Sequence, residues 1–399
     1  MTSDFPRLLV ATEAPPNSAG GGAAIIRQML KDWATENLFW WSCFPDRERT
    51  FGQKVAAHRV ATIPPKLYPN RRWRTQKSWL LERFWVPPAV RHFQNTLEAV
   101  HPDVVWVIPH CWAIPPIARV LPGKKTGFHV SIHDYMDIRA AIDKFGEPRS
   151  RQMAAMADRL YASANTRDAI CQAMVDDLRA RTGADGSINR AGLDQEEFDF
   201  LAAGANRKQG PMRIAYAGTI VAEDTIAVFA RALEVIREKL PRPVTLDFYG
   251  DHSYRSREWF KAEWMQEHGN LPSRELSNAL RECDWGLAPM KLEDNDPRYN
   301  RFSLPTKFVS YLAAGLPVVA IGHAESTVMK MVSQYAVGMC ATDGGVAKLA
   351  AGLLESLSEP EPRKKYRAEI LRCALAEFDA RRMRTTLYDS FRKCAASHS

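Results

Sequence analysis

Apolar residues fall in short unbroken blocks separated by amphipathic stretches along most of the chain. The first block, Arg7 to Thr12, reads as a buried strand, followed by the glycine-rich stretch Asn17 to Gly22 and an amphipathic run from Ala23 to Trp33. The order is strand, glycine loop, helix. Asp103 to Ile108 and Thr126 to His133 read as two more buried strands, with helical periodicity over Ala89 to Val100 and Arg149 to Ala157. Fully apolar strands alternating with helices predict a parallel sheet covered on both faces.

A second series starts after the polar stretch Ala202 to Gln209, the predicted linker. Arg213 to Ala217, Val244 to Tyr249, Asp284 to Ala288 and Pro317 to Ile321 read as strands; Glu223 to Lys239, Leu304 to Ala314 and Ala324 to Val332 read as helices. A last amphipathic helix, Ala380 to Lys393, comes too late for this alternation. The pattern predicts an α/β chain of two doubly wound halves, residues 1–202 and 203–378, with ligands at the carboxyl ends of the strands and the cleft between the halves.

Composition narrows the class. The 399 residues are 46% hydrophobic and 25% charged, enough for two separate cores and unlike a disordered or fibrous chain. No apolar run approaches the roughly 20 residues that span a bilayer; the stretch Tyr311 to Ile321 is broken by Gly315 and Pro317. Asp4, Pro6 and Arg7 stand where a secretory signal would need a basic segment and an apolar block, so a cytoplasmic location is expected. The seven cysteines form no Cys-x-x-Cys pair, which indicates neither a disulfide framework nor a thiolate zinc site.

Several blocks carry a resemblance. They are Pro15-Pro16 with Gly20, Gly21 and Gly22; His101 to Val105; His133-Asp134; Ala157 to Leu160 leading to Asn189 through Asp194; Tyr216 to Thr219; Glu275-Leu276 to Ala288-Pro289; and, most specific, Phe302 through Val319. In this order and spacing they resemble the GT-B glycosyltransferases, more narrowly the retaining family 4 group, over nearly the whole chain. The resemblance implies two Rossmann-like domains facing a central cleft, an acceptor-side first domain with residues 379–399 crossing back onto it, and a donor-binding second domain. It implies transfer of a sugar from a nucleotide-diphosphate sugar to a glycan, lipid-linked or small hydroxylated acceptor, with no cofactor and no metal. Two departures stand out. Phe302 and Ser310 replace a pair of glutamates found in many relatives, and Thr219 onward lacks the Arg and Lys that often follow Gly218. Two alternatives stay open: a nucleotide-sugar epimerase of the same fold, and a catalytically silent sugar-nucleotide-binding homologue.

The chemistry of such a transfer places negative charge on a departing diphosphate, so a site needs fixed positive groups there. Lys307, one turn into a helix with Pro305 at its expected first position, is the leading candidate, with Arg301 just upstream. The resemblance adds Gly218, Thr219, Gly250, Ser303 and Ser310 as donor-binding positions. Gly20, Gly21 and Gly22 form a loop that lets backbone approach acceptor or phosphate. His133, at a strand end, is the candidate contact to donor sugar or acceptor hydroxyl, with His110 and His129 weaker. Asp294-Asn295-Asp296 has an Asp-x-Asp pattern but lies in a Pro-bounded loop where turn chemistry accounts for it.

Charge is concentrated in one segment. Lys66 to Arg91 holds seven basic residues against the single acid Glu82, interleaved with Tyr68, Trp73, Trp79, Phe84 and Trp85. This composition suits an anionic membrane surface and equally a core with a solvated face. With no recognised binding module, nucleic acid is not expected.

Overall fold

The fold is known from a computed structural model that describes residues 5–18, 20–46, 52–68, 72–204 and 210–396. Residues 205–209 of the expected linker and Arg71 of the basic segment lie outside the described residues, as do Met1 to Asp4. Among the described residues the strands are β1 (Leu8–Ala11), β2 (Leu38–Ser42), β3 (Ala57–Val60), β4 (Val104–Val107), β5 (Gly127–Ile132), β6 (Thr166–Ala169), β7 (Ser187–Ile188), β8 (Met212–Ala217), β9 (Val244–Tyr249), β10 (Met265–Glu267), β11 (Trp285–Pro289), β12 (Val318–Ile321) and β13 (Gly338–Ala341). They form two parallel sheets, ordered β3-β2-β1-β4-β5-β6-β7 and β10-β9-β8-β11-β12-β13. In each sheet the winding reverses between the first strand and the fourth, at β1/β4 and at β8/β11. An open α/β sheet leaves its ligand crevice at such a reversal.

The chain divides into two compact units, residues 1–191 with 381–399, and residues 192–380. The division falls at Ala191/Gly192, ahead of the expected boundary at 202. The reason is the helix Gln195–Ala203, which packs on the helices Thr306–Ala313 and Arg367–Glu377 of the second unit. Its start is set by a capping box, with the Glu197 carboxylate accepting from the Asp194 N–H at 2.8 Å.

The chain leaves the first unit at Ala191 and re-enters it at Arg381, and the second unit's residues at these two passages are hydrogen-bonded side by side. The Leu193 N–H donates to the Phe378 carbonyl at 2.6 Å, and the Ala380 N–H to the Leu193 carbonyl at 3.0 Å. Gly192 makes this possible: a Cβ there would lie 2.5 Å from the Phe378 carbonyl oxygen.

The last helix, Ala380–Ala396, belongs through Met383, Leu387, Tyr388, Phe391 and Cys394 to the core of the first unit. Its Tyr388 hydroxyl donates to the Met29 carbonyl at 2.7 Å, and Phe391 packs against Trp33 and Trp106 with ring centroids 5.5 Å apart in each pair. The second unit has its own apolar core, built on Ile214, Phe229, Leu246, Trp285 and Leu353.

Differences from the expected elements lie at their ends. The first helix is Gly21–Met29, so Gly21 and Gly22 form its opening turn instead of a loop before it. Pro305 is the N-cap of the helix Thr306–Ala313, not its first residue, and Lys307 is therefore its second residue rather than a turn inside. No helix among the described residues is long and apolar enough to cross a membrane.

Candidate functional site

In the second unit the site is built where β8 and β11 part. The two strands pair only at Trp285 with Ile214 and Gly286 with Ala215, after which the ladder stops. The peptide groups beyond would be left unpaired inside the protein, a cost of about 1–3 kcal/mol each. Tyr311 closes the gap: its hydroxyl accepts from the Ala217 N–H at 3.0 Å and donates to the Leu287 carbonyl at 3.1 Å. The ring lies directly over Gly286, where a Cβ would meet it at 2.4 Å. Tyr311 sits four residues after Lys307 on the same helix face, so this contact fixes where Lys307 emerges.

Lys307 reaches back over the carboxyl end of β8. Its Nζ donates to the Tyr216 hydroxyl at 2.5 Å and to the Thr219 carbonyl at 3.4 Å, and lies 3.9 Å from the centre of the Tyr216 ring. The Tyr216 hydroxyl in turn donates to the Thr219 carbonyl at 2.7 Å. Gly218 has φ +97°, a left-handed backbone suited to glycine, and a Cβ there would stand 3.9 Å from Nζ. Gly250 approaches so closely that its Cβ would lie 3.0 Å from the Gly218 carbonyl oxygen. Gly218, Thr219, Gly250 and Lys307 are thus brought together.

Burial holds the Lys307 ammonium down to a pKa of about 7. The side chain is half-buried, so water screens part of this penalty. Tyr216 is moved the other way, with burial raising its phenol well above the ordinary range, so it stays neutral and offers the ammonium an oxygen and a ring face. No acid occupies the first turn of the helix Thr306–Ala313 and no side chain caps it. Its opening N–H groups and Lys307 together present positive charge with no acidic partner among the described residues, which suits an anion.

The other expected residues are placed less centrally. Ser310 turns its hydroxyl onto its own helix, donating to the Thr306 carbonyl at 3.3 Å instead of outward. Ser303 ends the helix Pro297–Phe302, with its N–H on the Tyr299 carbonyl at 3.2 Å. Arg301 lies exposed on that helix, 4.0 Å from Asp294. Asp296 caps the same helix, accepting from the Tyr299 N–H at 3.4 Å, and Phe302 is buried.

In the first unit Gly20 has φ +103° and opens the helix Gly21–Met29; a Cβ on Gly20 or Gly22 would meet nothing within 4 Å. His133 follows β5. Burial holds its pKa down to about 4, with Asp168 opposing and His110 adding to the shift, so the ring is a neutral imidazole at physiological pH. His129 is instead a core residue, bonded to Asp168 at 2.9 Å and to Thr166 at 2.8 Å. Glu13, Tyr216 and Tyr311 were not singled out by sequence reasoning, because each sits in or beside an apolar block where nothing marks it as polar machinery.

Residues 227–359 match the family described as Glucosyltransferase 3-like, C-terminal domain. No curated protein matches the sequence. Among solved structures, sucrose-phosphate synthase from Thermosynechococcus elongatus is similar with a TM-score of 0.71 at 13% identity, covering 98% of each chain. Anabaena HepE in complex with UDP has a TM-score of 0.65 at 14% identity, covering 96% of this chain and 98% of that one. The α,α-trehalose 6-phosphate synthase from Burkholderia multivorans has a TM-score of 0.63 at 14% identity, covering 98% and 97%. The fold is GT-B, the two-domain architecture of these glycosyltransferases.

The Tyr311 bridge yields one prediction. Tyr311→Phe keeps the ring over Gly286 but strands the Ala217 N–H and the Leu287 carbonyl, so urea unfolding should show a loss of about 1–3 kcal/mol. An unchanged midpoint would show that the phenol carries no such load.

Proposed function

We propose that this protein is a retaining glycosyltransferase that moves a sugar from a nucleotide-diphosphate sugar to a glycan, lipid-linked or small hydroxylated acceptor. The observation that carries the reading is the ammonium of Lys307, held on the Tyr216 hydroxyl beside Gly218 and Gly250 at the β8/β11 reversal. The matched C-terminal family segment spans this helix, and HepE, of the same fold, is known with UDP and with UDP-glucose. In this reading the diphosphate lies on the N-terminus of the helix Thr306–Ala313 and Lys307 stabilises the charge that grows as the bond to the sugar breaks. Gly218 and Gly250 leave room for the phosphates, and Thr219 and Ser303 are assigned as further donor contacts. Ribose recognition falls to a group other than Ser310, whose hydroxyl is turned inward. On the first unit, His133 is assigned as a contact to the donor sugar or the acceptor hydroxyl, and Gly20, Gly21 and Gly22 as backbone donors to the acceptor or phosphates. Arg301 is the reserve cation.

Peripheral binding to an anionic membrane belongs to the same reading. Trp73, Trp79 and Phe84 are 59%, 59% and 61% exposed, while Tyr68 and Trp85 turn inward. Trp79 and Phe84 form an edge contact at 6.0 Å, and Lys66, Arg72 and Arg83 of the same segment are exposed. Glu82, the one acid, is taken up by Arg119 and Arg149. Exposed indoles and exposed cations in one segment match interface and headgroups.

Three expected outcomes test the reading. Lys307→Ala should lower kcat and kcat/KM together by about a hundred- to thousand-fold, the usual loss for one preorganised charge on a transition state. Because the free ammonium is present below a pKa of about 7 and lost above it, kcat/KM should decline as pH rises through that range. Lys307→Arg, charged throughout, should keep partial activity and remove the decline. Steady-state kinetics on variants with matched melting temperatures decide this; donor bound without turnover over a broad acceptor panel would favour the silent homologue, and donor consumed without acceptor the epimerase.

Transfer should be unaffected by EDTA, since the charge at the diphosphate comes from Lys307 and helix N–H groups; abolition with rescue by manganese or magnesium would overturn this. Vesicle co-sedimentation should require anionic lipid and weaken with salt, each basic group contributing about 1 kcal/mol within a Debye length of about 8 Å. Equal binding to neutral and anionic vesicles would remove the membrane assignment.

A further inference from the structure

Three side chains of different metal-binding chemistry converge in the first unit, at the reversal between β1 and β4. Glu13 follows β1 and is 5% exposed; its carboxylate accepts from the Trp112 N–H at 3.1 Å and from the Tyr68 hydroxyl at 3.4 Å. His110 and Cys111 follow β4. The His110 Nδ1 lies 3.2 Å from a Glu13 oxygen, and its Nε2 lies 3.7 Å from the Cys111 Sγ. One carboxylate oxygen, one imidazole nitrogen and the thiol sulfur all fall within 4.8 Å of one another.

Consecutive residues of extended chain point their side chains apart. Here Cys111 has φ +43°, a left-handed conformation uncommon for a residue with a side chain, and its sulfur is turned back toward the ring of its neighbour. Glu13, 97 residues upstream of His110, is held in place by a backbone N–H and a phenol, so the carboxylate is fixed independently of the imidazole.

We propose that Glu13, His110 and Cys111 bind a single zinc ion. A thiolate, an imidazole and a carboxylate are the ligand types zinc accepts together, whereas magnesium and calcium call for oxygen alone. The 3.7 Å between sulfur and nitrogen is close to the edge of a zinc tetrahedron with bonds of about 2.3 and 2.0 Å. The imidazole is 45% exposed, which gives the ion access and leaves the fourth position to water. On binding, the thiol proton passes to solvent, and one thiolate and one carboxylate balance the two charges of the ion. Lys144 stands 4.0 Å from the sulfur and opposes a cation, but its ammonium is engaged by the Tyr68 hydroxyl at 2.6 Å and lies over the Tyr68 and Phe145 rings. The zinc site was not visible as a Cys-x-x-Cys spacing because it uses one sulfur. It lies wholly in the first unit and does not rest on the sugar-transfer reading.

Cobalt(II) reports on such a site directly. The full-length protein, stripped of metal, reduced with a phosphine and carrying Cys340→Ser to remove the one exposed thiol, is titrated with cobalt and then zinc. The expected result is a single equivalent of cobalt with tetrahedral visible bands and a near-ultraviolet thiolate charge-transfer band, both displaced by zinc. Cys111→Ser should lose the charge-transfer band, and His110→Ala should weaken zinc binding by about tenfold or more. Absence of the band in the wild-type background at millimolar cobalt, or its persistence in a folded Cys111→Ser protein, overturns the proposal. Should Cys111→Ser fail to fold, His110→Ala decides alone: unchanged zinc affinity overturns the site.

Discussion

The second unit's site depends on one phenol standing in for a missing stretch of β ladder. Parallel strands buried on both faces have no water to satisfy a peptide group that loses its partner, yet a ligand crevice requires two strands to part. Tyr311 resolves that conflict with one oxygen that serves Ala217 and Leu287 at once. Gly286 must then be glycine, because the ring occupies the space above it. Since Tyr311 and Lys307 share a helix face, the group that repairs the sheet also aims the cation. The ammonium is left on a tyrosine instead of a carboxylate, charged enough to attract an anion and free to meet it.

At the reversal of the first unit, β1 and β4 pair along their whole length, and the polar groups gather just beyond the ladder. The reversal holds Glu13 bonded to the Trp112 N–H, with His110 and Cys111 alongside. Farther inside, His129 is locked between Asp168 and Thr166, and Asn189 donates to the same aspartate at 3.2 Å. That network ties β5, β6 and the segment after β7 beneath the last helix, whose Cys394 reaches the Thr166 hydroxyl at 2.9 Å. Buried polar groups in this unit are therefore divided between a rim at the strand ends and an interior network centred on Asp168.

How much of this the sequence displayed follows from burial. The central strands β1, β4, β5, β8, β9, β11 and β12 were legible because strands covered on both faces are nearly continuous apolar runs. The edge strands β3, β10 and β13 were not: Ala57–Val60 and Met265–Glu267 carry polar residues that erase the signal, and Gly338–Ala341 is a half-exposed run of glycine, methionine, cysteine and alanine with no strong strand former. Lys307 was found because its block resembles a known family, while its partner Tyr216 reads in sequence as one more apolar strand residue. Ser310 was expected to offer a hydrogen bond outward, but a serine inside a helix can spend it on the carbonyl four residues back, as this one does. Glu13 and His110 are 97 positions apart, and only the adjacency of β1 and β4 brings them together.

The return of the last helix sets an order of events during synthesis. The second unit is one continuous piece of chain, residues 192–380, and holds all of its core once that stretch has emerged. The first unit, although made earlier, lacks Met383, Leu387, Tyr388 and Phe391 until the last helix has left the ribosome. Until then Trp33 and Trp106 have no aromatic partner from that helix, and an apolar flank of the N-terminal sheet stays uncovered. Of the two units, the one begun earlier is thus completed later, and its exposed flank is the surface on which nascent chains of this protein are most open to chaperone capture or aggregation.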